Sequence, residues 1–93
     1  MWLIEFNRDA LAWTVNDSMN WSFIEGQFDY FKAKLEHFGY LYMNDIYECL
    51  GVKWNPNEVN FCFRDFDDLE FSVGSAGDLT YLIKIKCPRL EAL

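Results

Sequence analysis

Histidine is nearly absent from this chain: His37 is the only one, and no Cys-x-x-C pair accompanies it. The three cysteines, Cys49, Cys62 and Cys87, are odd in number and unrelated in spacing. A structural zinc site needs closely paired Cys or His ligands and a disulfide framework needs an even set, so neither is expected. The thiols read as small, buried or half-buried side chains in a reducing compartment. No apolar run approaches the roughly 20 residues of a membrane-spanning helix, and no signal-peptide pattern opens the chain. The expectation is a cytoplasmic protein without a membrane span. Basic residues are scarce as well, eight Lys and Arg against fifteen Asp and Glu, for a net charge of −7. Phosphate contacts need clustered Lys and Arg, which argues against direct nucleic-acid binding through a general basic surface. Residues 1–21, 22–51 and 52–93 carry −2, −3 and −2, so the negative charge is spread along the chain and not confined to a tail.

Recognisable chemistry is also missing. Gly74-Ser75-Ala76-Gly77 joins two expected strands and opens no helix, so it is not a phosphate-binding loop. The stretch from Arg64 to Glu70 has the first carboxylates of a calcium loop but neither its central Gly nor its distal Glu. His37 has no serine or cysteine pattern around it and reads as an exposed residue at a helix end. Any two of the fifteen carboxylates could be nominated as an acid/base pair without support from the sequence. No catalytic residue, cofactor or metal is implied, and an enzyme is not expected.

Aromatic and apolar residues are plentiful. The 93-residue chain is 52% hydrophobic and 19% aromatic, enough for one self-sustaining domain. A fully buried Phe or Leu contributes about 1.5–3 kcal/mol, so nine Phe and four Trp exceed what a minimal core needs. Some aromatic surface is left for a partner.

The clearest local pattern is a helix over 23–38. Ser22 and Glu25 form an S-x-x-E capping box. Behind it Ile24, Phe28, Phe31, Leu35 and Phe38 fall within a sector of roughly 80°, a core-facing stripe. Gly39 ends the helix, Tyr40 to Met43 reads as an extended link, and Asn44 caps a second helix over 45–50 that Gly51 closes. Asp45 sits in the first turn of that helix, and Ile46, Cys49 and Leu50 form its inner face. Before the first helix, alternation of Trp2, Ile4 and Phe6 and of Leu11, Trp13 and Val15 favours a hairpin turning at Asn7-Arg8-Asp9. A helix from Asp9 aligning Leu11, Val15 and Met19 is the alternative, and Asn16-Asp17-Ser18 is a loop on either reading.

The residues GYLYMNDIYECLG (39–51) resemble a segment found in small uncharacterised proteins of bacteriophages and mobile elements of Gram-positive bacteria. There a helix ends at Gly-Tyr, an extended link follows, and a short helix begins at Asn/Ala-Asp and closes in Leu-Gly. The resemblance covers about half of the chain and consists of structural punctuation. It implies an α+β fold and a phage-like origin in a bacterial host, and it brings no activity with it.

Val52 to Glu58 reads as a loop turning at Asn55-Pro56-Asn57. The period then becomes two, predicting strands over 59–64, 69–73 and 80–86 in an antiparallel meander packed on the helices. Keeping the apolar faces together pairs Phe63 with Leu69, Phe61 with Phe71, Phe71 with Ile83 and Val73 with Tyr81. Arg64–Asp68 and Gly74–Thr80 become the loops, with Glu70 opposite Lys84 and Asp68 opposite Lys86. The fold class is α+β.

Glu25, Asp29 and Glu36 share one flank of the first helix, beside Lys32, about 100–140° from the apolar stripe. Asp65 and Asp67 sit at an expected hairpin tip. These five acids have no evident partner in the sequence, and with the spare aromatics Trp54 and Tyr42 they are the candidate partner-binding residues. Carboxylates can stand in for phosphates on a basic groove. The expected function is therefore a protein-binding module for a basic partner, one version of which is an inhibitor that covers a nucleic-acid-binding surface. A structural protein forming a homo-oligomer through its aromatics is the alternative.

Overall fold

The computed structural model describes residues 2–53, 56–57 and 60–87. Strand β1 (Trp2–Phe6) leads through a loop into helix α1 (Asp17–Phe38). Strand β2 (Tyr40–Tyr42), helix α2 (Met43–Leu50) and strand β3 (Cys62–Arg64) follow, then a 3-10 turn at Asp65–Asp67 and strands β4 (Glu70–Gly77) and β5 (Thr80–Lys86). The architecture is mixed α+β, with two helices, a three-stranded antiparallel sheet and a two-stranded sheet.

Helix α1 starts six residues before the expected position. Asn16 is its N-cap, with Oδ1 accepting the Met19 N–H at 3.0 Å and Asp17 in the first turn. Residues 16–18, expected as loop, therefore open the helix, and the Ser22–Glu25 pair lies inside it. The extra turn is held by Asn20, which is fully buried. Its amide donates to Thr14 O at 2.8 Å and to the Tyr81 hydroxyl at 3.2 Å, and its Oδ1 accepts the Thr14 N–H at 2.9 Å. Of the expected stripe, Ile24, Phe28, Phe31 and Leu35 are buried, whereas Phe38 in the last turn is 60% exposed. Gly39 closes α1 in the left-handed region at φ 79°, as its position implies. In α2, Asp45 is the third residue and accepts the Tyr42 N–H at 3.4 Å, so the helix begins at Met43, two residues earlier than an Asn44 cap would place it.

The larger sheet has the order β1-β5-β4, so its third member is the N-terminal strand and not residues 59–64. β3 pairs instead with β2, placing Phe63 opposite Leu41. The expected pairs of Phe63 with Leu69 and Phe61 with Phe71 do not form. No N-terminal hairpin exists either: β1 pairs with β5, and the chain from Leu11 to Val15 is loop, with Leu11 92% exposed. That loop is pinned by Trp13, whose indole N–H donates to Leu79 O at 2.7 Å.

The β4–β5 pair forms with the expected faces inward but two residues out of the expected register. Phe71 lies opposite Ile85, Val73 opposite Ile83 and Glu70 opposite Lys86. The cause is the turn. Gly74 to Gly77 belongs to β4, and Asp78 and Leu79, both at positive φ, make a two-residue turn in place of a long loop. Even-numbered slippage preserves the faces, so the alternation alone could not distinguish the two registers. Asn55 of the expected turn and Val59 at the start of the expected first strand lie outside the described residues, as does Trp54.

Helix α1 crosses one face of the sheet. Phe23 stacks on Phe6 of β1, Trp21 meets Tyr81 of β5 edge-on, and Phe28 and Phe31 pack on Phe71 of β4. The opposite face carries Leu3, Lys84, Lys86 and Glu70, all exposed, and is open among the described residues.

Candidate protein-binding surface

The acidic strip of α1 survives in three dimensions. Glu25, Asp29 and Glu36 are all exposed, and at 100° per residue they fall within about 40° of one another, with Lys32 at their border. Among the described residues none forms a hydrogen bond or ion pair with their carboxylates. Their flank is opposite the one bearing Phe23, which stacks on Phe6 of β1, and so lies towards β4, on which Phe28 and Phe31 pack. The other flank, with Phe23 and Lys34, is turned to β1 and α2. There Lys34 bridges to Asp45 at 3.1 Å, and that hydrogen bond raises the lysine pKa against a smaller opposing effect of burial.

The pair at 65 and 67 divides. Asp65 is exposed beside the end of α1, its N–H donating to Gly39 O at 3.2 Å. Asp67 is buried, and its Oδ2 accepts the Arg64 N–H at 2.8 Å. Its expected lack of a partner is corrected: it closes the 3-10 turn, a structural task that accounts for it without any binding role. The spacing Arg-x-x-Asp could have suggested that local bond; the expectation of a hairpin tip concealed it.

Tyr42 is 42% exposed and its ring meets that of Tyr40 at 5.7 Å, both on the outer face of β2. Tyr30 and Phe66 are further exposed aromatics, and Phe38, expected on the core-facing stripe, is a third. For Phe38 the signal was its place in the last turn, where the stripe runs past the core. Tyr30, Ala33, Lys34, His37 and Phe38 line a shallow cleft on the flank of α1 away from the acidic strip.

Reactive groups are few. Burial, and next the Asp45 carboxylate, push the Cys49 thiol pKa up, the reverse of what a nucleophilic thiolate needs. Among the described residues no group of three or more His, Cys, Asp or Glu side chains could hold a metal ion. No helix among them is long and apolar enough to cross a membrane. Comparison with family models, with curated proteins and with solved structures finds no match for this chain.

Proposed function

We propose that this chain is a small acidic protein-binding module of phage or mobile-element origin, acting in the cytoplasm of a bacterial host by covering a basic surface of a host or phage protein. Binding, and not catalysis, is its task. One observation carries the reading: Glu25, Asp29 and Glu36 lie exposed on one flank of α1, with no partner among the described residues. Unpaired like charges held on one rigid face raise the energy of the folded chain by mutual repulsion, and a basic partner relieves it. A nucleic-acid-binding groove is the surface such a strip would occupy, with carboxylates in the positions of phosphates.

The test is affinity capture from a bacterial lysate on the immobilised protein, eluted by rising salt, with the Glu25→Gln/Asp29→Asn/Glu36→Gln variant alongside. The expected result is a basic nucleic-acid-binding protein that is released as screening shortens, is displaced by oligonucleotide, and is not retained by the variant. Equal retention by the variant across salt would overturn the reading.

The exposure of Phe38, Tyr40 and Tyr42 at one end of α1 favours a second reading, a homo-oligomer assembled through aromatic surface. Self-association lost on replacing those three residues, with no captured protein, would support it.

A further inference from the structure

The edge of the larger sheet adds a second feature to the side of the molecule that bears the acidic strip. β4 is an outer strand, and among the described residues its backbone pairs only with β5. None of its eight residues is buried. Sheet edges are ordinarily protected by Lys, Pro or inward-pointing charge, because their free N–H and C=O groups accept any passing strand. From Phe71 to Gly77 the sequence is FSVGSAG, without a charge or a proline. A register irregularity between Ser75 and Gly77 ends the regular edge, leaving about six residues of it from Glu70.

Resting on the reading of the α1 strip given above, we propose that the open edge of β4 takes up an extended segment of the basic partner as an added strand, with Lys or Arg at alternate positions. The added strand lies about 4.8 Å beyond β4, and its side chains alternate between the two faces of the sheet. One set enters the angle between β4 and α1, under the flank that carries Glu25 and Asp29. The other set lies over the open face, where Glu70 of β4 stands opposite Lys86 and Ser72 opposite Lys84, so that the one acid there already has a cation across from it. Cations therefore belong on the first set and neutral residues on the second. The same placement disfavours a second copy of this chain, since antiparallel pairing of two β4 edges would bring two acidic α1 flanks together.

The probe is an eight-residue peptide of alternating lysine and valine, capped at both ends. It is titrated into the intact protein at low salt, with an alternating glutamate–valine peptide as control. The lysine peptide should bind, slow the exchange of backbone amides between Phe71 and Ser75, and lose at least tenfold in affinity to the Glu25→Gln/Asp29→Asn/Glu36→Gln variant. N-methylation of the lysine residues or of the valine residues keeps charge and side chains but removes half of the backbone donors. At least one of those two patterns should weaken binding tenfold or more. If both methylated peptides bind as well as the parent while the neutralised protein binds poorly, edge pairing falls and the acidic strip stands. If neutralisation leaves affinity unchanged, the reading of the strip falls too. No binding by the lysine peptide, or a dimer through β4 seen by sedimentation, also overturns edge pairing, and the lysate experiment then judges the strip alone.

Discussion

The hydroxyl of Tyr81 donates to the carboxylate of Asp17 at 2.5 Å, joining β5 to the first turn of α1 across 64 positions of sequence. The same hydroxyl accepts from the buried Asn20 amide, which in turn bonds both backbone groups of Thr14. Sheet, helix and the loop before the helix thus meet at one polar knot at the edge of an aromatic core. Burial raises the Tyr81 pKa from its ordinary value of 10.0, and the bond to Asp17 raises it further.

Tyr81→Phe should cost about 1 kcal/mol, because the exposed Asp17 regains water and Asn20 keeps its Thr14 bonds. Asn20→Ala should cost more, about 1–3 kcal/mol, since it strands two Thr14 backbone groups. The pH dependence has a definite sign. A tyrosine pKa raised in the folded state means that the unfolded chain loses its proton first. The associated stability is complete below pH 10 and is lost as pH rises through the folded-state value. Urea titrations at successive pH values should show a steeper alkaline decline for the wild type than for Tyr81→Phe, and identical slopes would refute the assignment.

The apolar stripe gives a paired prediction. Phe31 is fully buried against Phe71, so Phe31→Ala should remove about 3–5 kcal/mol. Phe38→Ala, at an exposed site in the last turn, should change stability by about 0.5 kcal/mol or less. Denaturant midpoints at constant slope distinguish the two, and Phe31→Leu supplies a folded variant if the alanine form is too unstable.

Those two phenylalanines also show what could be read from sequence. A 3.6-residue period identifies a helix and its inner face from neighbours in the chain, which is why α1, Gly39, α2 and Gly51 were legible. Which strand neighbours which depends on distant partners. Alternation places Phe63 on an inner face without naming its partner; it was expected opposite Leu69 and lies opposite Leu41. The Asp78-Leu79 turn was hidden because leucine is a poor left-handed residue; here the Leu79 carbonyl is held by the Trp13 indole. Of the candidate site, the exposed strip on α1 followed from helical geometry, whereas the free edge of β4 required the strand order.

The register itself is testable by double-mutant cycles at low salt. Glu70 lies opposite Lys86, with Ser72 opposite Lys84. Directly opposed charges on one face couple by about 0.2–1 kcal/mol, and diagonal ones are farther apart. Glu70 with Lys86 should therefore give the larger favourable coupling, declining as salt is added. A larger value for Glu70 with Lys84 would instead indicate the register two residues away.

The two aspartates of the 3-10 turn should behave oppositely despite their proximity. Asp67 is buried and accepts the Arg64 N–H, while its own carbonyl accepts from the Cys87 thiol at 3.7 Å. Removing the carboxylate leaves a backbone donor without its partner, so Asp67→Ala should cost about 1–3 kcal/mol. Asp67→Asn keeps an acceptor oxygen of the same shape and should cost less. Asp65 is exposed and uses only its backbone in the turn, so Asp65→Asn should leave the thermal midpoint within a degree or two of wild type, or raise it by relieving repulsion. Differential scanning calorimetry of the three variants measures this directly. A large loss for Asp65→Asn with none for Asp67→Ala would reverse the assignment. It would also return Asp67 to the set of carboxylates available to a basic partner.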